Sequence, residues 1–221
     1  MRRSYRDGFT LIEMLVVTAL FAMTMLIATN IFLLSSKAQR RAAQNQKLQG
    51  DVRFAVESMV REVRYGTIDY GCYAGTTCDP EAPGVIDLVA SKGSSSVLAL
   101  RDADGNAVRF SVFTLSGEQK LVVCSINATT EAATKCDMAD AWQVITQVGV
   151  RIVKVVFVIF PFKSPFELCD GSGPCAAGDY IYQYDEQPRV MITVKSRQTS
   201  TEALPEQLYT QTVVTSRFYA R

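Results

Sequence analysis

The feature that constrains this chain most is a long apolar segment close to its N-terminus. Residues 9–34 read FTLIEMLVVTALFAMTMLIATNIFLL and contain a single charged side chain, Glu13. A helix of this length reaches about 39 Å, more than the ~30 Å hydrocarbon core of a bilayer. A secretory signal has an apolar region of only about 7–15 residues. The segment is therefore predicted to be a transmembrane helix, and residues 1–8 a short basic leader in front of it.

Glu13 is a costly residue in such a segment, because a buried carboxylate in a membrane needs a partner or a function. A cut between Gly8 and Phe9 would give Phe9 a new α-amino group. Phe9 and Glu13 would then be four residues apart, on one face of the helix. The carboxylate could meet the ammonium group of its own chain or of a neighbouring one. This pairing is predicted to set the axial register in a bundle of such helices.

Gly8 followed by Phe-Thr-Leu-Ile-Glu-Met-Leu-Val-Val resembles the class III signal of type IV prepilins and type II secretion pseudopilins. In that family a membrane aspartyl peptidase cuts after the glycine and methylates the new N-terminal amine. The resemblance implies that Gly8 precedes the cut, that Phe9 is N-methylated and that Glu13 forms the assembly salt bridge. Many major pilins have a proline where this chain has Asn30, so no proline kink is expected there.

The helix is predicted to continue beyond the apolar segment, from about residue 9 to residue 65. Residues 35–65 are amphipathic, with apolar side chains at spacings of three and four. This half is predicted to pack its apolar stripe on a globular head, residues 66–221. The residues of the stripe are Leu48, Val52, Ala55, Val56, Met59, Val60 and Val63.

The head is predicted to be an antiparallel β-sheet, which makes the chain an α+β protein. Asp104-Gly105-Asn106 between two β-rich runs is a hairpin signal, and Gly149 predicts a bend or a bulge in the longest run. Residues 66–85 are predicted to form a loop. The strand order and the Thr-Val-Val-Thr-Ser-Arg tail resemble J-type minor pseudopilins and W-type minor pilins. The predicted strands are residues 97–100, 108–113, 120–124, 142–162, 188–195 and 208–219.

Six cysteines fall into three local pairs, each around a turn-rich stretch. An even number of cysteines in such pairs favours disulfides and an oxidising compartment outside the cytoplasm. Free buried thiols are the alternative, and no Cys-x-x-Cys spacing supports a zinc site. Six cysteines allow 15 connectivities, and local pairing, the simplest of them, predicts Cys72–Cys78, Cys124–Cys136 and Cys169–Cys175.

The composition argues against most catalytic and nucleic-acid functions. The chain has no histidine, the commonest general base and metal ligand. Its formal net charge of +1 argues against nucleic acid as the main partner, DNA uptake aside. No catalytic residue and no cofactor is predicted.

Two groups of oxygen-bearing side chains are candidate calcium ligands. Asp102, Asp104 and Asn106 have the spacing of a calcium loop, but Phe113 occupies the position of the required glutamate. The hairpin interpretation is therefore favoured for this group. Asp170 and Asp179 are weak calcium candidates, and no metal site is predicted with them.

These features predict a structural minor pilin or pseudopilin, not an enzyme. The resemblance implies four partners: prepilin peptidase, other pilin subunits, an inner-membrane assembly platform, and membrane lipid before assembly. It also implies a single pass through the bacterial inner membrane, with a cytoplasmic N-terminus and an extracytoplasmic head. The final location would be a type IV pilus, a type II secretion pseudopilus or a competence pseudopilus. The alternative is a signal-anchored binding module, such as an adhesin or a DNA- or saccharide-binding protein.

Overall fold

A computed structural model of the 221-residue chain describes residues 9–74, 78, 86–126, 142–165, 186–199 and 207–217. The chain divides into two compact units, Met1–Gln46 and Lys47–Arg221. The helices are α1 (Leu11–Tyr65) and α2 (Tyr70–Ala74). The strands are β1 (Thr67–Ile68), β2 (Ser94–Ser95), β3 (Leu98–Arg101), β4 (Ala107–Leu115), β5 (Glu118–Ile126), β6 (Gln143–Val144), β7 (Val150–Phe160), β8 (Arg189–Gln198) and β9 (Gln207–Thr215).

Helix α1 ends where the sequence predicts, because Gly66 follows Tyr65. The Gly66 N–H still donates to the Glu62 carbonyl oxygen at 2.8 Å, which closes the last turn. A Cβ atom on Gly66 would lie 2.6 Å from the Arg101 carbonyl oxygen, closer than side chains approach backbone. The helix end and β3 can therefore approach this closely only with glycine at residue 66.

The strands form two antiparallel sheets within the second unit. The first sheet has the order β1-β3-β4-β5-β6, and the second has the order β2-β7-β8-β9. The α+β class and the antiparallel head are thus confirmed. The sequence did not predict the division into two sheets, because the strands of both have the same apolar pattern.

The second half of α1 supplies one wall of the main hydrophobic core. The stripe predicted from the sequence is buried there, with Val60 partly so. Inward-facing residues of both sheets complete the core. The largest of them that are fully buried are Phe110, Phe157, Leu98, Leu100, Leu121, Ile152, Ile159 and Ile192.

The predicted meander is confirmed, and the longest predicted strand is corrected. β3 and β4 pair around the turn at residues 102–106, with Leu98 opposite Phe110, and β4 pairs with β5. The run 142–162 is not one strand. Gly149 has φ 91°, and the chain changes sheets there, so β6 belongs to the first sheet and β7 to the second.

Two smaller predictions, the loop at residues 66–85 and the end of the last strand, are also corrected. The segment 66–85 is not wholly a loop, because β1 pairs with β3 and α2 follows it. The last strand ends at Thr215, four residues earlier than the predicted end at residue 219. Beyond it, the described chain has Ser216 and Arg217, which bond to other segments.

Candidate processing and assembly site

The N-terminal end of α1 is organised by Thr10. The backbone N–H of Glu13 donates to the Thr10 hydroxyl oxygen at 3.3 Å and to the Thr10 carbonyl oxygen at 3.1 Å. Thr-x-x-Glu is the capping-box spacing, which places Glu13 in the first turn, where the helix dipole favours a carboxylate. The helix therefore begins at Leu11 and not at Phe9.

Because α1 begins at Leu11, the predicted pairing of Phe9 with Glu13 on one helix face changes. Phe9 precedes the helix and is 78% exposed. The helical i, i+4 relation is thus absent from the full chain, and it stays a prediction for the cleaved one. Within the described residues Glu13 has no basic side chain within 4 Å. Gly8, the residue before the predicted cut, lies outside the described residues.

The apolar segment of α1 exposes large hydrophobic side chains around its whole circumference, among them Leu15, Leu20 and Phe32. None of its most apolar part is buried inside the chain, and α1 is long and apolar enough to cross a membrane. Such a surface needs lipid or other apolar helices around it, because it is too large to face water. The segment therefore supports anchoring in a membrane.

The threonines of this segment satisfy their hydroxyl groups within the helix. Thr18 donates to the Leu15 carbonyl oxygen at 3.0 Å. Thr24 donates to the Phe21 carbonyl oxygen and Thr29 donates to the Met25 carbonyl oxygen, both at 2.8 Å. Internal bonding of this kind removes most of the cost of placing a hydroxyl in lipid. Glu13 differs from these residues, since its carboxylate has no such internal bond among the described residues.

The C-terminal end of α1 is held by the last described residues of the chain, which the sequence did not reveal. The Ser216 hydroxyl donates to the Gly66 carbonyl oxygen at 2.7 Å. The Arg217 backbone N–H donates to the Arg64 carbonyl oxygen at 3.0 Å. These bonds satisfy carbonyl groups that a helix end leaves without intrahelical partners.

The segment after α1 is fixed by a disulfide and an ion pair. Cys72 and Cys78 are bonded, with their Cα atoms 5.1 Å apart. The buried Asp69 carboxylate accepts from the Cys72 N–H at 3.3 Å and lies 3.1 Å from the Arg101 guanidinium. Cys124 is also disulfide-bonded. Its predicted partner, Cys136, lies outside the described residues, as do Cys169 and Cys175.

Asp102 organises the turn of the hairpin. Its carboxylate accepts from the backbone N–H groups of Asp104 and Asn106 at 2.9 and 2.8 Å, and from the Asn106 side-chain amide. Slight burial opposes ionisation, yet these hydrogen bonds prevail and lower the pKa of Asp102. The described residues contain no cluster of three potential metal ligands. Asp170 and Asp179 lie outside them.

Comparison with known proteins identifies the N-terminal segment. Residues 3–29 match the family described as the prokaryotic N-terminal methylation motif. No curated protein and no solved structure matches the chain significantly. The motif is that of a type IV pilin-like precursor, which prepilin peptidase processes. The motif, the exposed apolar helix and the antiparallel head on one chain together support a type IV pilin-like or pseudopilin-like protein.

Proposed function

We propose that this chain is a minor structural subunit of a type IV pilus or of a type II secretion-like pseudopilus. The single observation that carries the proposal is Glu13 in the first turn of α1, within an otherwise apolar, exposed segment that matches the methylation motif. A carboxylate at a helix N-terminus is stabilised by the helix dipole, and a cationic amine on a neighbouring subunit would stabilise it further. The precursor would anchor in the bacterial inner membrane, with its head outside the cytoplasm.

The proposed sequence of events follows from the residues around the cut. Prepilin peptidase cleaves between Gly8 and Phe9 and methylates the Phe9 amine. The new ammonium group lies beside the helix N-terminus of its own chain, where the dipole disfavours a cation. Pairing with Glu13 of an adjacent subunit would neutralise both groups in the apolar interior of the filament. The many-stranded head supports a minor subunit, and the chain itself catalyses nothing in this scheme.

The test uses Glu13→Gln and Asn30→Ala in the full chain, expressed with its own assembly machinery. Glu13→Gln should insert and be cleaved normally, yet its recovery in sheared filaments should fall at least about tenfold, the equivalent of 1.4 kcal/mol. Asn30→Ala, in the same apolar segment, should assemble like the wild type. Assembly of Glu13→Gln at the wild-type level would refute the pairing.

Cleavage is tested separately by mass spectrometry of the mature chain. The expected N-terminus is methylated Phe9, and Gly8→Val should leave the leader attached. A chain that keeps its leader and stays in the membrane fraction would instead be the signal-anchored binding module. No described feature favours that second function over the first.

A further inference from the structure

The outer side of the second sheet carries a group of four basic residues, of which one is exposed and three are half-buried. In β8 the side chains of Val194 and Ser196 are buried in the core, so Lys195 and Arg197 lie on the opposite face. Their cross-strand partners in β7 are Lys154 and Arg151. Directly paired residues share one face of a sheet. We call Arg151, Lys154, Lys195 and Arg197 the basic quartet.

The strand register opposes like charges within the basic quartet. Arg151 lies directly opposite Arg197, and Lys154 lies directly opposite Lys195. Like charges in such positions destabilise an antiparallel pair. The arrangement thus costs stability, and the fold by itself gives no reason for it.

A β-bulge creates this arrangement. The register shifts by one residue between Ile152 and Lys154. Without the shift Lys154 would lie opposite Val194 and face the core; with it, Lys154 lies opposite Lys195 on the outer face. Bulges commonly redirect a side chain in this way near functional surfaces. Here the bulge brings the fourth cation to the quartet.

Among the described residues, no acidic side chain forms an ion pair with the basic quartet. The ion pairs in the described part of the chain are Arg53–Glu57, Arg101–Asp69 and Lys120–Glu118. Among the described acidic groups, Glu118 has an electrostatic interaction with one quartet member, Arg151. Its pKa is lowered first by hydrogen bonds from Lys120 and Thr199, and only weakly by the charge of Arg151. The quartet is therefore a local positive patch on a nearly neutral chain.

An aromatic side chain completes the patch. Tyr209 on β9 pairs with Lys195, whose ammonium nitrogen lies 4.9 Å from the centroid of the Tyr209 ring. The tyrosine is 64% exposed. Cations spaced along an open sheet, with an exposed aromatic ring among them, suit phosphates joined to stacking bases. An acidic peptide would gain from the charges but not from the ring.

We propose that the basic quartet and Tyr209 bind single-stranded nucleic acid without sequence preference. The quartet contacts consecutive backbone phosphates, and Tyr209 stacks on an unpaired base. The near-zero net charge supplies no general attraction to a polyanion, so binding depends on these residues. Four phosphate contacts on a single strand predict a slope of log K against log salt of about −2.8. The affinity should then fall roughly fiftyfold between 50 and 200 mM salt.

The test measures binding of a fluorescent oligothymidylate to the full chain in a neutral detergent, by anisotropy across salt concentrations. Lys154→Glu should abolish the binding and raise the melting temperature, because it opposes a carboxylate to Lys195. Lys92→Glu, the same charge change at an exposed turn, should retain both the binding and its slope. Tyr209→Leu should weaken binding to the single strand while the salt slope stays unchanged.

Three results would overturn the proposal. One is that oligothymidylate binds no better at 50 mM than at 200 mM salt. Another is equal binding by Lys154→Glu and Lys92→Glu. The third is stronger binding of polyglutamate or of anionic lipid vesicles than of oligothymidylate, which would assign the patch to an acidic protein or to a membrane surface.

Discussion

At the scale of single residues, Ser216 joins three segments of the chain by hydrogen bonds. The side chain is 1% exposed, and its hydroxyl reaches Gly66 at the end of α1. The backbone of the same residue donates to the Pro188 carbonyl oxygen and accepts from the Gln187 side chain. One residue after β9 therefore connects the helix end with the start of β8.

Replacing Ser216 by alanine tests this connection. The Gly66 carbonyl oxygen would lose its hydroxyl partner in a buried position, which typically costs about 1–3 kcal/mol. We expect the free energy of unfolding to fall by that amount, measured by urea titration with circular dichroism. Thr215→Ala, at an exposed neighbouring position, should stay within about 0.5 kcal/mol of the wild type. Equal stability of the two variants would contradict the proposed role of Ser216.

At the scale of elements, α1 is one helix with two different surfaces. Its N-terminal part is apolar on all sides and belongs to the first unit. Its C-terminal part has one apolar stripe, which is buried against the sheets of the second unit. The first surface needs partners from outside the chain, whereas the second already has its partners within the chain.

This difference predicts opposite outcomes for two similar truncations. Met59 is fully buried, so Met59→Ala should destabilise the head by about 2–5 kcal/mol through lost packing and a new cavity. Leu20 is 60% exposed within the apolar part, so Leu20→Ala should leave the unfolding of the head unchanged. Thermal unfolding in detergent, followed by near-ultraviolet circular dichroism, measures both. A similar loss in both variants would show that α1 does not divide in this way.

At the scale of the whole molecule, covalent cross-links add to the packing of the head. Cys72–Cys78 closes the chain just beyond α1, and Cys124 on β5 is also bonded. Among the cysteines that the structure describes, none is free. Bonds of this kind belong to an oxidising compartment, consistent with a head outside the cytoplasm.

Removing the first bond should have a limited and measurable effect. The two cysteines are six residues apart, and a loop of this size restricts the unfolded chain by about 2 kcal/mol. Cys72→Ser/Cys78→Ser should therefore lower the free energy of unfolding by about that amount, with the fold retained. The reference is the wild-type chain with and without reductant. An unreduced mass six hydrogens below the reduced mass would establish that all six cysteines are disulfide-bonded.

The sequence by itself determined the features that depend on local pattern. The apolar run, the isolated Glu13 and the basic leader identified the membrane helix, because a helix in lipid leaves a compositional signature. The buried stripe from Leu48 to Val63 followed from a period of 3.6, and the hairpin at residues 102–106 from its turn residues. None of these required knowledge of distant contacts.

Only the tertiary structure decided which strands share a sheet. Both sides of Gly149 are β-rich, so the change of sheet there depends on long-range pairing, which local propensity does not encode. The bond from Ser216 to Gly66 joins residues 150 positions apart, and no local pattern marks it. The basic quartet likewise depends on register, because a shift of one residue moves a side chain to the other face of a sheet. The local sequence pattern therefore predicts the apolar helix of this protein, whereas long-range strand pairing alone brings together the residues on the surface of its head.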